Sequence, residues 1–305
     1  MSTIFECIIV GGGIAGLQAA IQLGRYQHKV AVIDSNNGRS SICRSYHNIL
    51  GWPNGVSGER LRNLGRAHAE SYNIQFFEDT VIDIKQSNTG FRLCTMSSKE
   101  YMSKRILLAT GVMDRIPEIK NILPCLGISI YVCPDCDGYE VKNKKVIVLG
   151  AGTAGANLAS TLTYWTNSIT YINHDKKPLD NELEQKLSEK QIICIQNEVN
   201  EIVTAEQESH MKGVKLKDGT TIEAERGFLG FGGNEVRSDL VKNLGVERLE
   251  NKHIIVDPRT KETNIKNIWA AGDIGVHSEQ VTIAMGDGMQ AAIWIHKKIM
   301  KEKYN

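Results

Sequence analysis

Eight residues near the middle of the chain, Cys133-Pro134-Asp135-Cys136-Asp137-Gly138-Tyr139-Glu140, combine the residue types and spacing that dithiol chemistry needs. Two cysteines separated by two residues can close a short disulfide, and a carboxylate directly after the second can carry protons as that bond opens. Cys133 and Cys136 are therefore candidate redox residues, and Asp137 is a candidate acid/base group beyond its simpler role as a turn or cap aspartate. A CxxC is also half of a zinc site. Structural zinc takes four ligands, usually from a second Cys or His pair, and although Cys125 is available as a third, no second CxxC or HxxxH follows. No metal is expected.

The pair lies between two glycine-rich turns. Cys7-Ile8-Ile9-Val10 reads as a buried parallel strand, and Gly11-Gly12-Gly13-Ile14-Ala15-Gly16 opens the helix that follows it. In such a turn the first glycine permits the tight bend, the second lets backbone approach a pyrophosphate, and the third lets helix and strand pack closely. A second strand over 29–33 ends in Asp34, at about the 20-residue distance where an acid binds a ribose hydroxyl. Downstream, Lys145 to Leu149 leads into Gly150-Ala151-Gly152-Thr153-Ala154-Gly155, so that Gly11, Gly13 and Gly16 fall on Gly150, Gly152 and Gly155 at a constant displacement of 139. The same dinucleotide-binding plan occurs twice. The second copy differs at its far end, where Asn173-His174-Asp175-Lys176-Lys177 puts neither an acid for a ribose hydroxyl nor an arginine for a 2′-phosphate in the expected place. Asp175 or the lysines would have to serve, or that site holds no nucleotide.

The remaining chain supplies elements to position these groups. Residues 38–59 read as loop, able to wrap a large cofactor, and a helix is expected from about Glu59 to Tyr72. Strands are expected at 74–84, 90–96 and 100–108, the last returning the chain at Ala109-Thr110-Gly111, with a hinge over Met113 to Pro117. Strands also fill 192–231, with a hairpin turn at Asp218-Gly219. Phe228 to Gly233 crosses back, and Ile268 to Asp273 is a strand closed by a Gly-Asp turn. A final helix from about Gln280 to Lys301 carries small residues, Ala284, Gly286 and Gly288, on its early turns.

Composition narrows the setting. The 305 residues suit about two domains, and 41% hydrophobic with 23% charged residues is ordinary for a soluble protein. A net charge of +1 with scattered Lys and Arg gives no reason to expect nucleic acid or an anionic membrane as partner. No apolar run approaches the ~20 residues of a membrane span, and the start lacks a basic region and cleavage site. A cytoplasmic location is expected, where most of the seven cysteines stay thiols. Cys7 and Cys194, in apolar strand-like runs, are expected to be buried and inert.

The chain resembles the low-molecular-weight thioredoxin reductases over nearly its whole length. The resemblance rests on the first glycine turn, Leu50-Gly51-Trp52-Pro53-Asn54-Gly55, Ala109-Thr110-Gly111, the CxxC followed by Asp-Gly, Ala270-Ala271-Gly272-Asp273, and Gln280 with Gly286-Asp287-Gly288. It implies an α/β fold of two dinucleotide-binding, Rossmann-like three-layer domains, the second inserted in the first. The expected parts are an FAD-binding domain over 1–114 and 247–305, and an NAD(P)H-binding-like domain over 115–246 that carries the CxxC. It also implies FAD contacts from Gly11, Gly13, Ile14, Ala15, Gly16, Asp34, Asn48, Thr110, Gly111, Gly272, Asp273, Gln280 and Val281, with Gly150, Gly152 and Gly155 at the second nucleotide site. By the same analogy Cys136 faces the flavin, Cys133 attacks the substrate, and the protein is a homodimer.

Three departures bear on the electron donor and acceptor. Thioredoxin reductases usually carry His-Arg-Arg where this chain has Asn173-His174-Asp175, which weakens the case for NADPH and leaves NADH or no nicotinamide open. They usually have Arg where Glu279 precedes Gln280. Gly138-Tyr139-Glu140, Gly65-Arg66 and Trp294-Ile295-His296 are closer to the gliotoxin and holomycin dithiol oxidases, which use oxygen, although Asp137 after the CxxC is the reductase choice. The sequence reading is thus an FAD-dependent thiol-disulfide oxidoreductase acting on a protein or small-molecule disulfide. The alternatives are an oxygen-using oxidase of small dithiols and a redox-sensing flavoprotein without turnover.

Overall fold

The computed structural model describes residues 4–206 and 208–304. The chain forms two compact units, one built from the residues up to Ser41, Glu59–Met113 and the chain from Glu235 onward, the other from Ile42–Gly58 and Asp114–Asn234. The second is inserted in the first, as the resemblance implies.

The first unit is organised on a five-stranded, all-parallel sheet in the order Ile268–Ala270, Ile106–Leu108, Cys7–Val10, Val30–Asp34, Gln75–Glu78. Strand side chains alternate between faces, and here both faces are covered. Ile8, Val10, Ala31 and Ile33 pack with Ile84, Phe91 and Leu93 of a mixed four-stranded sheet. Cys7, Ile9, Val30 and Val32 pack on the other side with Ala19 and Leu23 of the helix Ile14–Arg25 and with Ala291 and Ile295 of the helix Val281–Tyr304. Burial on both faces explains why the strands read as unbroken apolar runs rather than alternating ones. Each fully buried Ile or Val contributes about 1.5–3 kcal/mol.

The second unit repeats the plan. Its parallel sheet runs Ile130–Tyr131, Arg226–Gly230, Val146–Gly150, Ile169–Asn173, Ile193–Ile195. One face packs on a three-stranded antiparallel sheet through Val199, Ile202 and Val214, the other on the helices Gly152–Leu162 and Asn181–Glu189 through Ala156, Ala159, Leu183 and Leu187. The hairpin turn expected at Asp218-Gly219 lies between two antiparallel strands of that three-stranded sheet, with Gly219 at φ +91°.

Three expectations need adjusting. The 38–59 stretch is not all loop, because Arg39–Ile42 forms a helical turn and Tyr46 bridges Val56. The expected hinge over Met113 to Pro117 is anchored at its first residue, since Val112–Met113 pairs antiparallel with Glu235–Val236. Cys194 is exposed rather than buried, because Ile193–Ile195 is an edge strand with a neighbour on one side only; Cys7, in the centre of its sheet, is fully buried.

Candidate functional site

The Cys133–Cys136 pair forms a disulfide with a Cα–Cα distance of 5.3 Å. Pro134 disfavours helical geometry at the residue before it and suits the first helical position after it. Accordingly Cys133 is extended (φ −118°, ψ 113°) and caps the four-residue turn Pro134–Asp137. The amides of Cys136 and Asp137 donate to the Cys133 carbonyl at 3.2 and 3.0 Å, and the Cys136 amide lies 3.2 Å from the Cys133 sulfur. A thiolate released there would meet a donor already in place. Behind the turn Gly138 is buried, and a Cβ on it would lie 2.5 Å from the Trp165 ring, so glycine lets the turn sit flush on the indole.

Asp137, with a side chain 14% exposed, faces the half-buried His47 with Oδ1 3.4 Å from Nδ1. Burial pushes the Asp137 carboxyl up, and the imidazole partly offsets that. His47 is itself raised, chiefly by its hydrogen bond to Asp137. The loop that brings His47 there is held by backbone. Arg44 donates to the Leu126 carbonyl at 3.1 Å, and Tyr46 and Val56 exchange bonds at 2.8 and 3.0 Å. Gly55, at φ +77°, leaves space that a Cβ would take from Ser45 Oγ and the His47 ring. Asn48, expected in this stretch, is exposed.

The two glycine turns differ in detail. In the first, Gly13 has open space where a Cβ would point, with only Ser40 Oγ at 4.0 Å, whereas Cβ atoms on Gly11 or Gly16 would strike backbone. The helix Ile14–Arg25 begins with no side chain capping its amides, which leaves donors for an anion. Asp34 accepts from Gly12 N at 2.9 Å and from Arg62 at 2.7 Å. A cleft beside Gly12 and Asp34 is lined by Arg62, Arg66, Phe76 and Glu78. These residues suit the pyrophosphate and adenosine half of a dinucleotide. Arg62 was not singled out from the sequence; the signal available was its place one helical turn before Arg66 on Gly58–Glu70.

In the second turn, Gly152 (φ +50°) faces its own chain, and a Cβ there would lie 3.1 Å from Lys177 Cβ. Asn173 occupies the position of Asp34. It is fully buried, accepts from Gly152 N at 3.0 Å, and donates to the Lys177 carbonyl at 2.6 Å and Gln196 Oε1 at 2.8 Å. Asp175 pairs with Arg115 at 2.9 Å. Gly155 lies against the buried Tyr171 ring, whose hydroxyl donates to the Gly152 carbonyl at 2.8 Å.

The other expected residues of the first unit cluster at its remaining strand ends. Thr110 Oγ1 donates to the Arg237 carbonyl at 2.7 Å, and Gly111 takes φ +65°. Gly272 has φ +78°, and Asp273 after it pairs with Arg39 at 2.9 Å. Burial raises the Asp273 carboxyl against the pull of that guanidinium. Arg39 also holds Glu279 at 2.7 Å, so the acid that departs from the usual arginine has a cation of this chain beside it. Gln280 immediately precedes the helix that begins at Val281.

A dinucleotide fold carrying a CxxC disulfide and a buried acid beside it defines a class, and sequence comparison agrees. Residues 5–288 match the model of the pyridine nucleotide-disulphide oxidoreductases, and the chain belongs to that family. It is 27% identical to the thioredoxin reductase of Mycolicibacterium smegmatis over 95% of each chain. TrxB from Bacillus anthracis is 27% identical with a TM-score of 0.83 over 98% of this chain and 100% of that one. HlmI, at 24% identity and TM-score 0.85 over 99% and 95%, shares the fold. The protein is a flavin-dependent disulfide oxidoreductase of thioredoxin reductase-like type. The family implies FAD and a pyridine nucleotide, and the open Gly13 turn with its uncapped helix fits the former. Among the described residues, no helix is long and apolar enough to cross a membrane.

Proposed function

We propose that the protein is a thiol-disulfide oxidoreductase in which Cys133 and Cys136 cycle between disulfide and dithiol to serve an external disulfide substrate. FAD, when bound, supplies the two-electron chemistry. Gly11, Gly13, Ile14, Ala15, Gly16 and Asp34 would hold its adenosine and pyrophosphate half, with Thr110, Gly111, Gly272, Asp273, Gln280 and Val281 toward the ring and Asn48 from the wrapping loop. These assignments go with a cofactor domain of 1–114 and 247–305 and a CxxC domain of 115–246, bounds that differ from the compact units in where 42–58 and 235–246 fall. Cys136 would face the cofactor, Cys133 would attack the substrate, and Asp137 would give and take the proton. The observation that carries the reading is the Cys133–Cys136 disulfide capping its turn directly beside the buried Asp137. A cytoplasmic homodimer acting on a thioredoxin-like protein or a small disulfide is the setting proposed by analogy with the thioredoxin reductases.

The test is Cys136→Ser. The variant should keep its yellow colour and lose disulfide turnover; undiminished turnover would overturn the reading.

A second reading is favoured by the Asn173 cluster. Among the described residues after that strand, Asn173 holds the Lys177 carbonyl and the acid Asp175 is paired to Arg115, so a ribose or its phosphate would have to compete with these contacts. Gly150, Gly152 and Gly155 then shape a fold without serving a nicotinamide, and electrons run from a small dithiol to oxygen. Anaerobic stopped-flow reduction separates the two. Rapid flavin bleaching by NADPH or NADH supports the reductase; bleaching by a dithiol alone supports the oxidase.

A further inference from the structure

Disulfide opening expels a thiolate, a step that a proton donor beside the departing sulfur speeds, and Asp137 is the titratable group next to Cys136 in sequence. A carboxyl in that role must be protonated when the bond breaks and able to take the proton back when it reforms. What governs its state is its surroundings, and these are few. Asp137 is largely buried and faces His47 at 3.4 Å, with Glu140 contributing a nearby negative charge. His47 in turn faces Asp137, Glu140 and Arg226, and its ring meets Tyr131 edge-on at 6.4 Å. The Tyr131 hydroxyl is committed to the Ile128 carbonyl at 2.6 Å.

We propose that His47 is a positioning residue for the disulfide chemistry, holding the Asp137 carboxyl in place and fixing the pH at which it stops donating its proton. The proposal rests on the reading that Cys133 and Cys136 cycle. Three features of the loop support it. The imidazole comes from a segment about ninety residues earlier and is carried there by backbone bonds at Arg44, Tyr46 and Val56. Gly55 is stripped to glycine where a Cβ would press on the ring. Both partners are sheltered, with side chains 26% and 14% exposed, so their mutual charge is screened less than that of a surface pair.

The step balances with an external dithiol as reductant. One of its thiolates attacks the Cys133 sulfur, and Cys136 leaves with the electron pair and takes a proton from Asp137. The second thiol of the reagent, giving up its proton, then attacks the reagent sulfur of the mixed disulfide; Cys133 leaves with the electron pair and is protonated in turn, and the reagent ends as a disulfide. With His47 present, the imidazolium favours the carboxylate and Asp137 loses its proton at lower pH. Without it, burial and Glu140 act alone and Asp137 stays protonated to higher pH.

The test uses the purified flavoprotein without oxygen, opened by excess dithiothreitol from about pH 5 to about pH 9. The reagent's own ionisation is common to all proteins and cancels in the ratio to Asp137→Asn. In the wild type this ratio should fall as pH rises. In His47→Gln the fall should move to higher pH, each pH unit of displacement reading as about a tenfold difference in rate on the limb. His47→Gln/Asp137→Asn should match Asp137→Asn. Superposed wild-type and His47→Gln profiles, or a shift to lower pH, would overturn the proposal. Should His47→Gln not fold, NMR titration of the His47 ring in wild type and Asp137→Asn decides instead. Loss of the carboxylate should lower its midpoint, and an unchanged midpoint counts against the pairing. Thiol counts separate the two readings: a wild-type pair that never opens defeats the proposed function itself, whereas an opening pair with unshifted pH dependence defeats only the role of His47.

Discussion

Asn173 stands in the second glycine turn where Asp34 stands in the first, and each accepts a turn amide, Gly152 N at 3.0 Å and Gly12 N at 2.9 Å. The carboxylate keeps lone pairs for another partner. The amide instead turns both remaining hydrogens on its own chain, to Lys177 and Gln196. Asn173→Ala strands the buried Gly152 amide, while the part-buried contacts to the exposed Lys177 and Gln196 can pass to water, so it should cost about 1–3 kcal/mol. Asn173→Asp keeps the acceptor for Gly152 but sets an oxygen against the Lys177 carbonyl, so it too should lower the melting temperature. Urea unfolding of both variants checks this; wild-type stability in Asn173→Asp would mean that the Lys177 contact contributes nothing.

Asp137 should show the opposite trade. Burial raises its carboxyl against the lowering pull of His47, so the ionised form is disfavoured in the folded protein relative to the unfolded chain. That penalty is absent below the unfolded value of 3.8 and complete once pH exceeds the raised folded value. Asp137→Asn should therefore melt higher than wild type at neutral and alkaline pH, with the difference closing in acid, while disulfide turnover falls by about 10²–10⁴-fold. Parallel melting and turnover profiles measure both. A variant that is less stable at every pH would remove the argument for a strained buried acid.

A second titrating cluster lies at the start of the last helix. Asp287 pairs with His277 and Lys261, each at 2.7 Å, and accepts from Gly272 N at 3.3 Å. Burial alone would raise Asp287, but the hydrogen bonds from His277 and Lys261 outweigh it and hold it low. The hydrogen bond to Asp287 raises His277 above its ordinary 6.5. The histidine's contribution is full below about 6.5 and is lost as pH rises through the higher folded value. That of Asp287 is present above its unfolded value of 3.8 and disappears as pH falls through the depressed one. His277→Gln should thus lower the melting temperature by a few degrees at mildly acidic pH and converge on wild type in alkali. A deficit independent of pH would show that the ring acts through packing alone.

Both glycine turns were legible because each constraint is local: a strand, a bend that needs glycine, and a helix follow within a dozen residues, and the displacement of 139 repeats them. The buried parallel strands were legible in the same runs, since strands covered on both faces leave an unbroken apolar pattern, while the layered two-domain fold came from the family resemblance. His47 was not legible. It reaches Asp137 across ninety residues through a loop whose path is set by the Leu126 and Val56 backbone contacts, and no periodicity marks it. Asn173 was visible as a missing acid, yet its commitment to Lys177 and Gln196 depends on how residues 174–178 turn back. Cys194 misled because an apolar triplet reads alike at the centre and the edge of a sheet; only strand order separates them.

Gly286 and Gly288 lie two residues apart on the same helix and should respond in opposite directions. A Cβ on Gly288 would strike the Ala15 carbonyl, in the first turn of the helix Ile14–Arg25. Gly272 adds to the same crowding, since its Cβ would lie 2.8 Å from Ala15 Cβ. Small residues at 15, 272 and 288 thus let the two helices approach where the proposed cofactor contacts converge. Gly288→Ala must push the helices apart, and it should both lower the melting temperature and reduce the flavin retained through purification, read as absorbance near the flavin band per protein. Gly286 has nothing within 4 Å of a built Cβ and is exposed. There alanine should stabilise by about 0.5–1 kcal/mol through helix propensity alone, with full flavin content. Equal flavin content and stability in the two variants would show that close approach at Ala15 is not what the glycine at 288 is for.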